Sequence, residues 1–256
     1  MNKKLLTTYT IIAFIFLYLP ITVLIVFSFN KDKISSSWSG FTLDWYYKLF
    51  QNTDLLNSLQ TSIFIAIFSS LISVVLGTFT SYALYKFDFK GKVAFQSLLQ
   101  YPIITPDIVI GIGLLIFFVL INFTLGFFSV LIAHISFTMA YTTLIISTRF
   151  NGIDKNIEDA AIDLGATPFK AFRFAVIPSI MPGIIAAFLI SFIISWDDFI
   201  VSFFTSGVGT TTLPVKVYSM IKMGVNPQIN AISTLLLITS LISTFIVIKF
   251  QNNVTG

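Results

Sequence analysis

The chain has 256 residues, 56% of them hydrophobic and 10% charged, with a formal net charge of +4 and a mean hydropathy of +0.92. That composition excludes a soluble globular domain and points to an all-α integral membrane protein. The basic residues form no dense patch interleaved with aromatics, which speaks against a nucleic-acid partner, and zero cysteines exclude disulfides, thiolate metal sites and a cysteine nucleophile.

Apolar runs fall near 8–29, 61–85, 97–122, 126–148, 182–204 and 230–249, each close to the roughly 20 residues that cross a hydrocarbon core of about 30 Å. They predict six helical spans, because an open sheet edge would leave its backbone unsatisfied in lipid. Lys3 and Lys4 before the first run resemble the start of a secretion signal, but no small-residue cleavage pattern stands near Ser28 and Phe29, so the run reads as a retained anchor.

Basic residues flanking spans set orientation. With the N-terminus inside, ten lie in cytoplasmic segments (Lys3, Lys4, Lys86, Lys90, Lys92, Arg149, Lys155, Lys170, Arg173, Lys249) and five outside (Lys31, Lys33, Lys48, Lys216, Lys222). Both termini are therefore expected in the cytoplasm of a multi-pass cell-membrane protein. Residues 1–60 read as a first span with an external loop, 61–249 as a five-helix core, and 250–256 as a short tail.

The outer loop, 30–60, carries Ser35-Ser36-Ser37 and then the run from Thr42 to Phe50, with Thr42 placed to cap a short amphipathic helix. Trp38, Trp45, Tyr46 and Tyr47 suit either an interfacial aromatic belt or a surface for an external partner. Further on, Asp107 follows Pro102 and Pro106, which are expected to bend the third span. If helices were continuous, Asp107 and Asp197 would each stand about 22 Å from their cytoplasmic starting points at Lys92 and Pro182.

The inner loop, 150–181, is long for a helix connection and needs a reason. Asp154 is a good N-cap, and Ile157, Ala160, Ala161 and Leu164 recur at helical spacing, with Glu158, Asp159 and Asp163 on the rest of the turn. Gly165 is expected to end that helix, Thr167 and Pro168 to restart another, and Pro178 and Pro182 to close it before the fifth span. The acidic face lacks the basic residues that interfacial helices use on anionic membranes, so the pattern favours docking to a partner over resting on headgroups.

Asp159-Ala160-Ala161, Gly165 and Ile177-Pro178 resemble the EAA loop of ABC-importer permeases, the segment that inserts into a cleft of the ATPase subunit. Pro106-Asp107-Ile108-Val109, Ala133-His134-Ile135-Ser136-Phe137, Trp196-Asp197-Asp198-Phe199 with Ser202-Phe203, and Leu213 to Met220 with Gly224-Val225 are similar to the permeases of spermidine/putrescine importers. Asp159 stands where that family usually has Glu, and Ile177 where it usually has Leu.

The resemblance implies a type I ABC-importer permease fold with a cytoplasmic coupling helix formed by Glu158, Asp159, Ala160, Ala161, Leu164, Gly165 and Ala166. It also implies a sister permease, a dimer of ABC ATPase subunits that would hold ATP and Mg, and a polyamine-binding protein outside. No GxxxxGK[ST] phosphate loop occurs in this chain, so no cofactor is expected here and ATP chemistry must come from a partner.

Carboxylates in a span cost about 2.5–3.5 kcal/mol on insertion scales and mark pathways or buried pairs. Asp107, Asp197 and Asp198 are therefore candidates to line a path for a cationic solute, with Trp196 and Tyr218 offering ring faces. The other reading pairs Asp197 and Asp198 with Lys216, Lys222 or the sister subunit. His134, the one histidine, reads as a hydrogen-bonded packing residue beside Ser136 and Thr138, and Gly77, Gly111 and Gly113 as sites of close helix approach. A proton-coupled carrier would show internal repeats, which are not evident, and a membrane enzyme would need a nucleophile and base pair, which is missing.

Overall fold

Long apolar segments with few breakers become helices in the computed structural model, which describes residues 3–32, 37–154, 156–224 and 227–255. Ser35, Ser36, Lys33, Lys155 and Val225, named above, lie outside them. Five described helices are long and apolar enough to cross a membrane: Lys3–Phe27, Thr53–Lys86, Phe127–Phe150, Pro168–Asp197 and Pro227–Phe245. A sixth span exists if the pair Lys92–Ile104 and Asp107–Leu120, bent by 110°, is counted as one. The chain divides into two units, residues 1–58 with 213–241 and residues 59–212 with 242–256.

In the first unit, α1 (Lys3–Phe27) is exposed along almost its whole length, including Phe14, Phe16 and Tyr18. The loop after it is tied by Asn30, whose side chain donates to the Ser37 carbonyl at 2.8 Å and accepts from the Ser39 amide at 2.9 Å. Trp45 is buried and donates its indole N–H to the Asn30 carbonyl at 2.8 Å, so it pins the loop. Tyr46 meets Ser28 at 2.7 Å, while Trp38 and Tyr47 stay exposed. Helix α2 (Asp44–Gln51) starts one residue later than a Thr42 cap requires. Leu43 is the N-cap, and Thr42 Oγ1 accepts only from the Asp44 amide at 3.2 Å. Helix α3 (Thr53–Lys86) begins in this unit and continues into the second.

The second unit holds most of α3, then α4 (Lys92–Ile104), α5 (Asp107–Leu120), α6 (Phe127–Phe150), α7 (Ile157–Asp163), α8 (Pro168–Ala171), α9 (Ile177–Asp197) and α10 (Ile200–Thr205). In the first unit α11 (Leu213–Lys222) follows, and α12 (Pro227–Thr255) ends the chain. Pro106, with no amide hydrogen, separates α4 from α5, so the continuous third span assumed in the depth estimate for Asp107 does not exist.

Helices α3 and α6 are stitched by small polar residues. Ser73 meets Thr138 at 2.7 Å, Thr142 donates to the Ser73 carbonyl at 2.9 Å, and Ser81 donates to the Thr143 carbonyl at 2.9 Å. Each such bond is worth about 0.6 kcal/mol in a bilayer, so they specify register more than they add stability. Gly77 permits the approach, since a Cβ there would lie 2.5 Å from Thr142 Oγ1. Gly111 does the same for α5 on α10, where a Cβ would lie 2.9 Å from the Phe204 ring. Gly113 does not, because nothing stands within 4 Å of its missing Cβ.

Pro178 and Pro182 do not close a helix before the fifth span. The chain runs as one long helix from Pro168 to Asp197, because a π-helical turn at Phe172–Val176 sits directly before Pro178. The Ile177 amide reaches back to the Phe172 carbonyl, and this wider turn takes up the irregularity that a proline imposes. The span starts fourteen residues before Pro182 and ends at Asp197, ahead of the predicted 204.

Gly77→Ala is expected to lower the stability of the detergent-solubilised protein by about 1–3 kcal/mol through overpacking against Thr142. Gly113→Ala, in open space, should be neutral or slightly stabilising, and a thermal melt of the two variants checks the contrast.

Candidate functional site

Helix α9 stops at Asp197, and Asp198 takes an extended backbone that turns the chain toward α10. The Asp198 carboxylate accepts from the backbone amides of Val201 at 3.2 Å and Ser202 at 2.8 Å, closing the first turn of α10. Its Oδ2 also lies 3.3 Å from His134 Nε2, with the two side chains 9% and 1% exposed. Nε2 is 2.9 Å from Ser202 Oγ, and Nδ1 is 2.7 Å from Ser195 Oγ, which in turn meets Ser69 at 3.1 Å. A proton on Nε2 gives the carboxylate a donor and leaves Nδ1 to accept from Ser195. His134 is thus hydrogen-bonded packing, as its sequence context suggests, but its partners come from α9 and α10. Ser136 bonds the Ala133 carbonyl, and Thr138 bonds the His134 carbonyl.

Asp197 is exposed. It lines a cleft of about 360 Å³ together with Asp107 at the start of α5, Asp198, Phe137 and Tyr141 of α6, and Phe199. Two exposed carboxylates from different helices therefore line one space together with aromatic rings. Trp196, by contrast, is buried and stacked on Phe192, centroids 6.2 Å apart. Tyr218 belongs to the first unit, on α11, where the Lys222 ammonium stands 4.9 Å from its ring centre. Also in that unit, Lys216 pairs with Asp54 at 3.4 Å.

The loop after α6 forms a short helix, a bend and a second helix. Asp154 is not the cap of α7. Its carboxylate accepts from the Asn156 amide at 3.0 Å, and Asn156 precedes the first helical residue. The C-terminal end closes with Gly165 N–H to the Ile162 carbonyl at 2.8 Å and Ala166 N–H to the Ala161 carbonyl at 3.0 Å. That double closure requires a left-handed residue, and Gly165 supplies it at φ +91°. Thr167 Oγ1 then accepts from the Lys170 amide at 3.4 Å, with Pro168 at the first helical position.

Among the loop residues singled out from sequence, Asp159, Ala160, Leu164 and Gly165 are exposed, Leu164 by 91%, and Ala161 and Ala166 are half-buried. Glu158 differs, at 5% exposure. Its carboxylate pairs with the Lys86 ammonium and accepts from Tyr82 OH at 2.9 Å. Sequence reasoning missed this anchor and the His134–Asp198 contact, because their partners lie 72 and 64 residues apart in the chain and no periodicity links them. Among the described residues no group of three or more His, Asp or Glu side chains is placed to hold a metal ion.

The described residues thus form a helical membrane bundle with an acidic cleft and an exposed helix-bend-helix between two spans. The family described as binding-protein-dependent transport system inner membrane component matches residues 73–254, and the chain belongs to it. It is 39% identical over 230 residues to the spermidine/putrescine transport system permease protein PotC of Haemophilus influenzae, covering 90% of each chain. It is 38% identical over 234 residues to the putrescine transport system permease protein PotI of Escherichia coli strain K12, covering 89% of this chain and 83% of that one. A crystal structure of a bacterial ABC transporter involved in the import of the acidic polysaccharide alginate superposes with a TM-score of 0.77 at 16% identity, covering 96% of this chain and 94% of that one. That likeness establishes the ABC-importer permease fold alone. The chain is accordingly an inner-membrane permease subunit and not an enzyme, and its importer draws on a separate ATPase and a solute-binding protein.

His134→Ala takes one donor from the buried Asp198 carboxylate, a hydrogen bond to a charged group worth about 1.5–3 kcal/mol. The variant should melt well below the parent protein, whereas Asp197→Asn at the exposed neighbouring position should shift the melting temperature little.

Proposed function

We propose that this chain is one of two membrane subunits of an ATP-driven spermidine/putrescine importer. The observation that carries the reading is the cleft holding Asp107 and Asp197 on separate helices with Phe137, Tyr141 and Phe199 on its walls. A polyamine is a string of ammonium groups separated by methylene stems. Exposed carboxylates satisfy the charges, ring faces add cation–π attraction of about 0.5–2 kcal/mol, and apolar walls accept the stems. Asp198 contributes its charge to the same space while its oxygens stay engaged with α10 and His134. The relatives named for polyamine transport support this choice of cation.

Both termini lie in the cytoplasm in this proposal, in keeping with the ten-to-five bias of basic residues. The loop bearing Asp159, Ala160, Ala161, Leu164, Gly165 and Ala166 then faces an ATPase dimer, which supplies ATP and Mg. A sister permease completes the path, and a polyamine-binding protein delivers solute from outside. Residues 1–60 form the first span and external loop, 61–249 the five-helix core, and 250–256 the tail. ATP binding closes the ATPase dimer, draws the two coupling loops together and opens the path outward; hydrolysis reverses the motion.

Radiolabelled spermidine uptake by the reconstituted importer tests the proposal. Asp107→Asn and Asp197→Asn each remove a charged hydrogen-bond partner worth about 1.5–3 kcal/mol, so each should raise the apparent KM by roughly tenfold or more at unchanged assembly. Competition by putrescine and spermidine, but not by neutral or anionic solutes, is the accompanying expectation. An unchanged KM in both variants would remove the acidic cleft from the path.

A further inference from the structure

Helix α7 has seven residues, too few to be stable alone, so its packing decides where it points. Most of its side chains are exposed. Ile157 packs against the cluster of Val74, Ile146, Phe150 and Val176, and Glu158 is the one acid of the helix that is buried. A carboxylate is withdrawn from water only at a cost, which pairing must offset. Here the compensation comes from α3, through the Lys86 ammonium and the Tyr82 hydroxyl at 2.9 Å.

Tyr82 is itself held. Its ring lies 4.5 Å from Phe172 in the π-helical turn and 6.1 Å from Phe150 at the end of α6, and the Lys86 ammonium sits 5.9 Å from its centre. The loop is covalently joined only to α6 and, through the π-helical turn, to α9. The Glu158 contact adds a third attachment, to the end of a helix 72 residues earlier in the chain.

We infer that Glu158 is a positioning residue for coupling: seated on Lys86 and Tyr82, it fastens the exposed loop helix to α3, so that a push on Asp159, Ala160 and Leu164 moves α3 together with α6 and α9. This rests on the reading of the loop as the ATPase contact. Glu158 touches neither solute nor nucleotide, and its effect is on how much of the ATPase motion reaches the spans.

The test uses the assembled importer with its binding protein in liposomes and reads ATP hydrolysed per solute imported. Glu158→Gln keeps the shape and the bond from Tyr82 but removes the charge; Lys86→Glu places two carboxylates together; Lys86→Glu with Glu158→Lys restores the pair in reverse. Coupling free energies of ordinary size correspond to about 5- to 150-fold, so Lys86→Glu should raise the ATP cost per solute at least about fivefold, Glu158→Gln less, and the double exchange should bring it back toward the parent. An unchanged ratio in Lys86→Glu, failure of the exchange to restore it, or loss of assembly in Glu158→Gln would overturn the inference, the last by showing a folding role only. If the parent importer fails to couple ATP to uptake, the reading of the loop fails instead.

Discussion

A carboxylate set among lipid-crossing helices has to be matched by donors, and the contact between Asp198 and His134 meets that demand for this permease. His134 is on α6, Asp198 follows α9, and the carboxylate closes the first turn of α10, so one buried contact joins three elements. The turn between α9 and α10 is fixed by it. Asp197, one residue earlier, is thereby left on the exposed side beside the cleft, and α10 is held where Gly111 of α5 can approach Phe204. Two adjacent aspartates thus do different work. One is absorbed by the fold, and the other is presented outward.

The same division recurs in the loop after α6. Of three acids on α7, Glu158 is drawn inward to Lys86 and Tyr82 while Asp159 and Asp163 remain exposed. The bend beyond it depends on the left-handed backbone at Gly165, which closes two orphan carbonyls of α7 before Thr167 caps the next helix. Beyond that cap the chain has no break until Asp197, because the π-helical turn accommodates Pro178. The loop is therefore continuous with a span on one side and fastened to another by charge.

Much of this was legible in the residues. Five described spans lie on or beside predicted apolar runs, the third run being a pair bent by 110° and the fifth starting earlier than predicted, and the helix-bend-helix of the loop follows from Gly165, Thr167 and Pro168, whose backbone preferences are local. What local chemistry does not encode is pairing at long range. His134 finds Asp198 and Glu158 finds Lys86 only once the bundle has formed, and a lone histidine or one acid among three gives no sign of it. Local rules also misjudged Pro178 and Pro182 as helix ends, since a proline within a membrane helix can be absorbed by a wider turn. Nor does local chemistry show that the Trp45 N–H finds the Asn30 carbonyl and that its ring is buried. Pro102 and Pro106 predict a bend in the third span, and the observed bend of 110° leaves Asp107 in the same cleft as Asp197.

Asp198 is held by His134 and the amides of α10, while Asp107 and Asp197 are exposed in the cleft proposed to take the solute. The most direct measurement is a cryo-electron microscopy structure of the intact importer trapped with spermidine in the path. The account predicts ammonium groups against Asp107 and Asp197, with Asp198 still on His134 and the amides of α10. Spermidine bound to Asp198 with the His134 contact broken, or a solute position away from this cleft, would contradict it.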